Sequence, residues 1–130
     1  MSIIKDVICH DIIIGKPTKI QKLIYSEDVI NNIINESNTI ELYGTLDIPQ
    51  NVYQIDLSKI AFKVNKISIR KRKLLFNIEI LDTPDGLNLQ SIKNNFSIKC
   101  VLGVNISNNN IVKNASLLNC YTKFNNKGVK

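Results

Sequence analysis

The segment Leu42-Tyr43-Gly44-Thr45-Leu46-Asp47-Ile48-Pro49 carries the clearest fold signal in this chain of 130 residues. With the two residues before it, the segment places Ile40, Leu42, Gly44, Leu46 and Ile48 on one face and polar residues on the other. This period of two is typical of a β-strand with one buried face. We therefore expect a strand over residues 40–48 with Ile48 buried, and Pro49 ends it because proline cannot donate a backbone hydrogen bond.

Similar patterns along the rest of the chain predict further strands and two short helices. Ser26 is a good N-cap, and the Glu27 and Asp28 carboxylates suit the first turn of a helix. The other predicted strands span residues 3–14, 60–69 with a β-bulge before Ile67, 74–80, 96–106 and 118–124; the predicted helices span residues 26–36 and about 87–94. The fold class is therefore α+β, mainly antiparallel, with a small barrel-like sheet of six or seven strands.

Length and composition predict a single domain over residues 1–130, with a polar tail at residues 125–130 that we expect to fray. The hydrophobic fraction is 44% and the charged fraction 22%, which is ordinary for a folded soluble protein. No apolar run reaches the ~18 residues that a membrane span needs, and the N-terminus lacks a signal-peptide layout. The sequence thus predicts a protein without a membrane segment, located in a cytosol.

The cysteines and the glycines predict neither a metal site nor a bound cofactor. Cys9, Cys100 and Cys120 are odd in number and far apart in the sequence, which favours reduced thiols over a disulfide framework or a zinc site. The five glycines are scattered and form no phosphate-binding loop. We therefore expect no cofactor.

Charge is divided unevenly between the two halves of the chain. Residues 1–60 carry a net charge of −3 and residues 61–130 a net charge of +9. A basic half is suited to an acidic partner, whether a protein surface or a nucleic acid. The run Arg70-Lys71-Arg72-Lys73 could contact phosphates, although a basic hairpin turn is more often simply solvated.

Three segments resemble the prohead maturation proteases of tailed bacteriophages in their order and spacing. They are residues 42–49, the sequence Ile55-Asp56-Leu57-Ser58, and the sequence Glu79-Ile80-Leu81-Asp82-Thr83-Pro84-Asp85-Gly86. The resemblance covers residues 24–124. It implies a fold similar to herpesvirus proteases and a place in an assembling capsid.

The same resemblance implies that the catalytic residues have been replaced. The family's principal histidine aligns with Ile48 and its second histidine with Phe62, while its serine pair aligns with Asn105 and Ile106. The arginine and glycine that follow align with Ser107 and Asn108. A serine hydroxyl needs a base to accept its proton, and isoleucine cannot act as one. We therefore predict no catalytic residues and no protease activity.

The leading functional hypothesis is a structural virion protein, an auxiliary or decoration subunit of a tailed-phage capsid. Its expected partners are the major capsid protein, other virion proteins and possible further copies of itself. Its expected location is the virion, and the host cytoplasm during assembly. Two alternatives remain open: a divergent serine protease acting through His10 and Ser107, and an internal scaffold or nucleic-acid-contacting capsid protein.

Overall fold

The computed structural model describes residues 3–17, 22–48, 54, 56–92 and 96–124. The described strands form one six-stranded sheet in the order β1-β4-β3-β2-β6-β5. Neighbouring strands pair antiparallel, except that β2 and β6 are parallel at Thr45 and Tyr121. The elements are β1 (Ile3–Cys9), α1 (Glu27–Ser37), β2 (Leu42–Thr45), β3 (Ile60–Arg70), β4 (Lys73–Ile80), α2 (Pro84–Gln90), β5 (Phe96–Ile106) and β6 (Val112–Phe124).

The sheet curls so strongly that its two edge strands, β1 and β5, come into contact. The result is a half-barrel with two helices, and the predicted α+β class is confirmed. The core lies inside the curl, where β4 contributes every second residue. The buried side chains of β4 are Leu74, Phe76, Ile78 and Ile80.

The outer face of the sheet carries a polar ladder across three strands. The Asn77 side-chain amide in β4 donates to Asp6 in β1 at 2.8 Å, and Asn65 in β3 donates to Asn77 at 3.3 Å. Cross-strand polar pairs of this kind add modest stability to a solvated sheet face.

Helix α1 begins where the sequence predicted. Ser26 is its N-cap and accepts a hydrogen bond from the Val29 backbone N–H. The buried face of α1 includes Val29, Ile30 and Ile33, and the helix packs mainly on β6.

The C-cap of α1, Asn38, ties the helix to β3. Its side-chain amide donates to the Ile67 carbonyl at 3.2 Å and accepts from the Ile67 N–H at 3.0 Å. On this side, β2 pairs with β3 only as far as Leu42 and Val64. Beyond that point, the Asn38 side chain makes hydrogen bonds to β3 that a longer β2 would otherwise make. The bulge predicted before Ile67 is confirmed, because the β3–β4 register shifts between Val64 and Lys66.

The boundaries of four predicted elements are wrong. Strand β2 spans Leu42–Thr45 and not residues 40–48, and the register with β3 shifts between Gly44 and Thr45. Strand β1 ends at Cys9, well before residue 14, and helix α2 begins at Pro84 and not near Leu87. The earlier helix start has a clear cause, since Thr83 provides an N-cap and proline is favoured at the first helical position. Strand β6 begins at Val112, six residues earlier than predicted. The tail at residues 125–130 lies outside the described residues.

The matched sequence 79–86 forms the structural junction between β4 and α2. The Gly86 backbone N–H donates to the Thr83 hydroxyl at 2.9 Å, and that hydroxyl donates to the Ile60 carbonyl. A Cβ atom at Gly86 would lie 2.0 Å from the Leu81 carbonyl oxygen and 2.9 Å from that of Ala61. Glycine is therefore required here because helix and strand backbones approach so closely. This part of the matched pattern serves the fold.

Candidate functional site

A pocket of about 260 Å³ opens where the two edge strands of the sheet meet. Strand β1 and the turn after it contribute one wall, β5 contributes the opposite wall, and the end of the segment after β2 closes a third side. The residues that define its chemistry are Cys9, Asp11, Tyr25, Ile48, Lys99 and Cys100.

An ion pair crosses from one wall of the pocket to the other. The Lys99 ammonium lies 3.3 Å from the Asp11 carboxylate, and the Lys99 side chain is only 16% exposed. Burial acts to lower the pKa of Lys99, but the charge and hydrogen bond of Asp11, together with smaller contributions from Lys123 and Tyr121, raise the pKa overall. Lys99 is therefore held as a cation beside the two cysteines.

The sulfur atoms of Cys9 and Cys100 are in contact within this pocket. Their Sγ atoms lie 3.9 Å apart, with the Cys100 thiol placed to donate to Cys9. This hydrogen bond lowers the pKa of Cys9, and the backbone N–H groups of Asp11 and Ile12 lower it further against the opposing effect of burial. The pKa of Cys100 is raised well above its usual value, first by the hydrogen bond to Cys9 and then by burial.

The third cysteine lies next to this pair. Cys120 in β6 is the direct cross-strand partner of Cys100 in β5. Cys120 is fully buried, and burial raises the pKa of its thiol to about 12. All three cysteines are free thiols. The three cysteines are far apart in the sequence, but the curl of the sheet brings them together where β1, β5 and β6 meet.

Ile48 lines this pocket but is not a core residue, so the prediction that it is buried is wrong. Its side chain is 61% exposed. The register between β2 and β3 shifts between Gly44 and Thr45, and this irregularity ends the simple alternation. Thr45 turns inward and is buried, and its hydroxyl donates to the Asp47 carbonyl at 2.6 Å. The backbone bends there, which leaves Ile48 at the surface.

The other positions aligned with catalytic residues lie elsewhere. Phe62 is fully buried in β3 beneath Gly44, its cross-strand partner. Asn105 and Ile106 are exposed at the far end of β5, where the Asn105 amide donates to Asn114 at 2.7 Å.

These aligned positions are not adjacent in space. The β5 residues that share the pocket with Ile48 are residues 99–102, and Asn105 is three residues further along the strand. A strand rises about 3.3 Å per residue, so Asn105 lies about 10 Å beyond that wall of the pocket. A nucleophile and its base require hydrogen-bond contact at about 3 Å.

His10 and Ser107, the alternative catalytic pair, are each engaged by local partners. Lys73 Nζ donates to His10 Nδ1 at 3.2 Å. The Ser107 hydroxyl accepts from the Asn109 N–H at 3.4 Å, inside the turn between β5 and β6. As predicted, Cys9 and His10 face opposite ways, since Cys9 is buried and His10 is exposed. His10 therefore points away from the cysteine pocket.

The basic run at residues 70–73 forms the β3–β4 hairpin turn, and half of it has a structural role. Lys71 and Arg72 both have positive φ angles, of 51° and 68°. The Arg72 Nε donates to the Ile14 carbonyl at 3.0 Å, which holds the segment after β1 against the hairpin. Lys73 is hydrogen-bonded to His10, so Arg72 and Lys73, two of the four cations, both hold the segment after β1 against the hairpin.

Neither a metal cluster nor a membrane helix is found within the described ranges. No group of three or more His, Cys, Asp or Glu side chains among those residues is arranged to hold a metal ion. In the same part of the chain, no helix is both long enough and apolar enough to cross a bilayer.

The sheet order, the curl and the two helices together form a fold similar to that of a capsid assembly protease. The chain is similar in structure to the bacteriophage T4 capsid assembly protease, with a TM-score of 0.67 over 92% of this chain and 79% of that protein. The two sequences are 10% identical, so the likeness concerns the fold. This match supports the prohead-protease-like fold that the sequence resemblance implied. No protein-family model and no curated protein matches the sequence.

Proposed function

We propose that this chain is a structural virion protein, an auxiliary or decoration subunit that binds the major capsid protein and does not cleave it. The observation that carries the proposal is the combination of a capsid-protease fold with Ile48, Asn105 and Ile106 at the aligned catalytic positions. None of these side chains can accept a proton from a nucleophile.

The separation of these positions supports the same conclusion. Even a polar pair at positions 48 and 105 would be too far apart for proton transfer. Cys100 is the one nucleophilic side chain among the β5 residues that line the pocket with Ile48, and none of the described residues that line the pocket is a histidine. A cysteine protease at this place would lack its general base.

The location follows from the capsid role. We expect the protein in the mature virion and, during assembly, in the cytoplasm of the host cell. Several large apolar side chains are exposed and are available for contacts with other virion proteins; the most exposed are Leu57 at 69%, Ile48 at 61% and Ile40 at 60%.

Quantitative mass spectrometry of purified virions tests the proposal. We expect hundreds of intact copies per particle, because a decoration subunit is bound in proportion to the capsid protein. Absence from mature particles, or a few clipped fragments, would contradict it and would fit a protease or scaffold that is removed at maturation.

A second experiment separates binding from cleavage. The purified chain is mixed with proheads, and capsid binding and capsid-protein length are measured together. Binding without any shortening of the capsid protein is the expected result. Cleavage that disappears in a His10→Ala or Ser107→Ala variant would establish the protease alternative.

A further inference from the structure

We propose that Cys9 and Cys100 form a peroxide-sensitive dithiol whose oxidation joins the two edge strands of the half-barrel through a disulfide. The starting geometry is the 3.9 Å separation of the two Sγ atoms. A disulfide has an S–S length of about 2.05 Å, so the two sulfur atoms need to approach by about 2 Å. Side-chain rotation can supply such a shift.

The position of the pair explains what the bond would do. β1 and β5 are the two ends of the strand order, and backbone hydrogen bonds do not pair them in the register of the sheet. The curl brings them together at the cysteines. A covalent bond at this point would close the half-barrel into a ring.

The two sulfur atoms have different chemical roles. Cys9 is the nucleophile, because the Cys100 thiol and nearby backbone N–H groups stabilise its thiolate. Cys100 keeps its proton and acts as the resolving thiol. The thiolate is the reactive form of cysteine. Both cysteines line the pocket, and Cys100 is partly exposed there, so a small oxidant can reach the pair from the Cys100 side.

The oxidant is a hydroperoxide, which fits a pocket of about 260 Å³. The Cys9 thiolate attacks one peroxide oxygen, the O–O bond breaks, and hydroxide leaves and takes a proton from solvent to become water. Cys9 is then a sulfenic acid. The Cys100 sulfur attacks the Cys9 sulfur, the S–O bond breaks, and the second water carries away the Cys100 proton. Two thiols and one hydrogen peroxide thus give one disulfide and two waters.

Cys120 is the competing partner, and the structure disfavours it. It lies opposite Cys100, but its thiol remains protonated because its pKa is about 12. Cys120 also does not line the pocket that Cys9 and Cys100 share. The proposed bond is therefore specific to Cys9 and Cys100, and it does not depend on the capsid role.

The experiment treats the reduced wild-type protein with hydrogen peroxide at neutral pH, traps free thiols by alkylation after denaturation, and maps the peptides. We expect a mass loss of about 2 Da, one alkylated cysteine (Cys120) and a Cys9–Cys100 linked peptide. The bond should raise Tm by roughly 10 °C, since it closes a long loop in the unfolded chain, and a dithiol reductant should reverse the shift.

Variants provide the controls. Cys120→Ala should still form the bond, whereas Cys9→Ser and Cys100→Ser should not. Three alkylatable thiols after peroxide treatment of the wild type, a link through Cys120, or disulfide-linked dimers in place of the internal bond would each overturn the proposal. The wild-type peptide map decides the matter even if a variant fails to fold.

Discussion

Gly44 lies directly against the ring of Phe62, its partner in the neighbouring strand. A Cβ atom added to Gly44 would be 1.9 Å from Phe62 Cζ, while Phe62 itself is fully buried. The aromatic ring therefore occupies the space that any side chain at position 44 would need. This contact sits at the register shift that ends β2 and exposes Ile48.

Gly44→Ala should lower the free energy of unfolding by about 3 kcal/mol, because the new methyl group forces Phe62 out of a packed core. Urea denaturation measures the change. The matched control is Gly103→Ala, where the nearest side-chain atom, on Leu118, would be 3.6 Å away. The control should change stability by less than about 0.5 kcal/mol. Equal effects for the two variants would contradict the proposed role of Gly44.

Asn38→Ala should lower the free energy of unfolding by about 2 kcal/mol, since it removes two hydrogen bonds to Ile67 and leaves both backbone groups without that partner. Hydrogen exchange at the Ile67 amide should accelerate at the same time. Asn105→Ala is a suitable control, because the Asn105–Asn114 bond lies at an exposed surface. Unchanged protection of Ile67 in Asn38→Ala would show that the helix cap does not hold β3.

Thr83→Val should destabilise the protein by about 1–2 kcal/mol, because valine has nearly the same shape but cannot cap α2 or donate to Ile60. Thr39→Val serves for comparison, since the Thr39 hydroxyl makes a single exposed hydrogen bond to Glu36. In thermal melting, Thr83→Val should have a clearly lower Tm than Thr39→Val. A Thr83→Val variant as stable as Thr39→Val would refute the structural account of the matched turn.

The Cys120 thiol should make stability fall in alkaline solution. Its folded pKa is about 12, whereas the ordinary value is 9.0. Above pH 9 the unfolded chain loses this proton first, so stability is fully present below pH 9 and is lost as the pH rises towards 12. The slope from this group is about 1.4 kcal/mol per pH unit. The free energy of unfolding is measured for the reduced wild type and for Cys120→Ala at pH 8 and pH 10.5. The same loss of stability with pH in both proteins would contradict the expectation.

The double variant Ile48→His/Asn105→Ser should fold but should not become a protease. Both positions are exposed, so stability should change by less than about 1 kcal/mol. The two new side chains would lie too far apart for the histidine to accept the serine proton. A prohead-cleavage assay with the folded variant checks this result. Cleavage by the double variant but not by either single variant would show that the separation inferred along β5 is wrong.

Local sequence patterns were sufficient for much of the fold. The Ser26 cap, the alternation through Phe76 and Ile78, and the bulge before Ile67 were all predicted, because each depends on neighbours a few residues away. The end of β1 was less accurate, because the segment after it is held by the hairpin through Arg72. The start of α2 was missed although Thr83 and Pro84 are local helix-start signals.

The sequence by itself determined a mainly antiparallel α+β fold, because periodicity and turn residues report which face of each element is buried; the likeness to prohead proteases came from the matched segments. Only the tertiary structure decided that Ile48 is exposed, since the register shift between Gly44 and Thr45 belongs to the pairing of β2 with β3. It alone also brought Cys9 to Cys100, 91 residues apart in sequence. The contact depends on the curl of the whole sheet, which sums the twist of six strands. No local sequence pattern around either cysteine reports that curl.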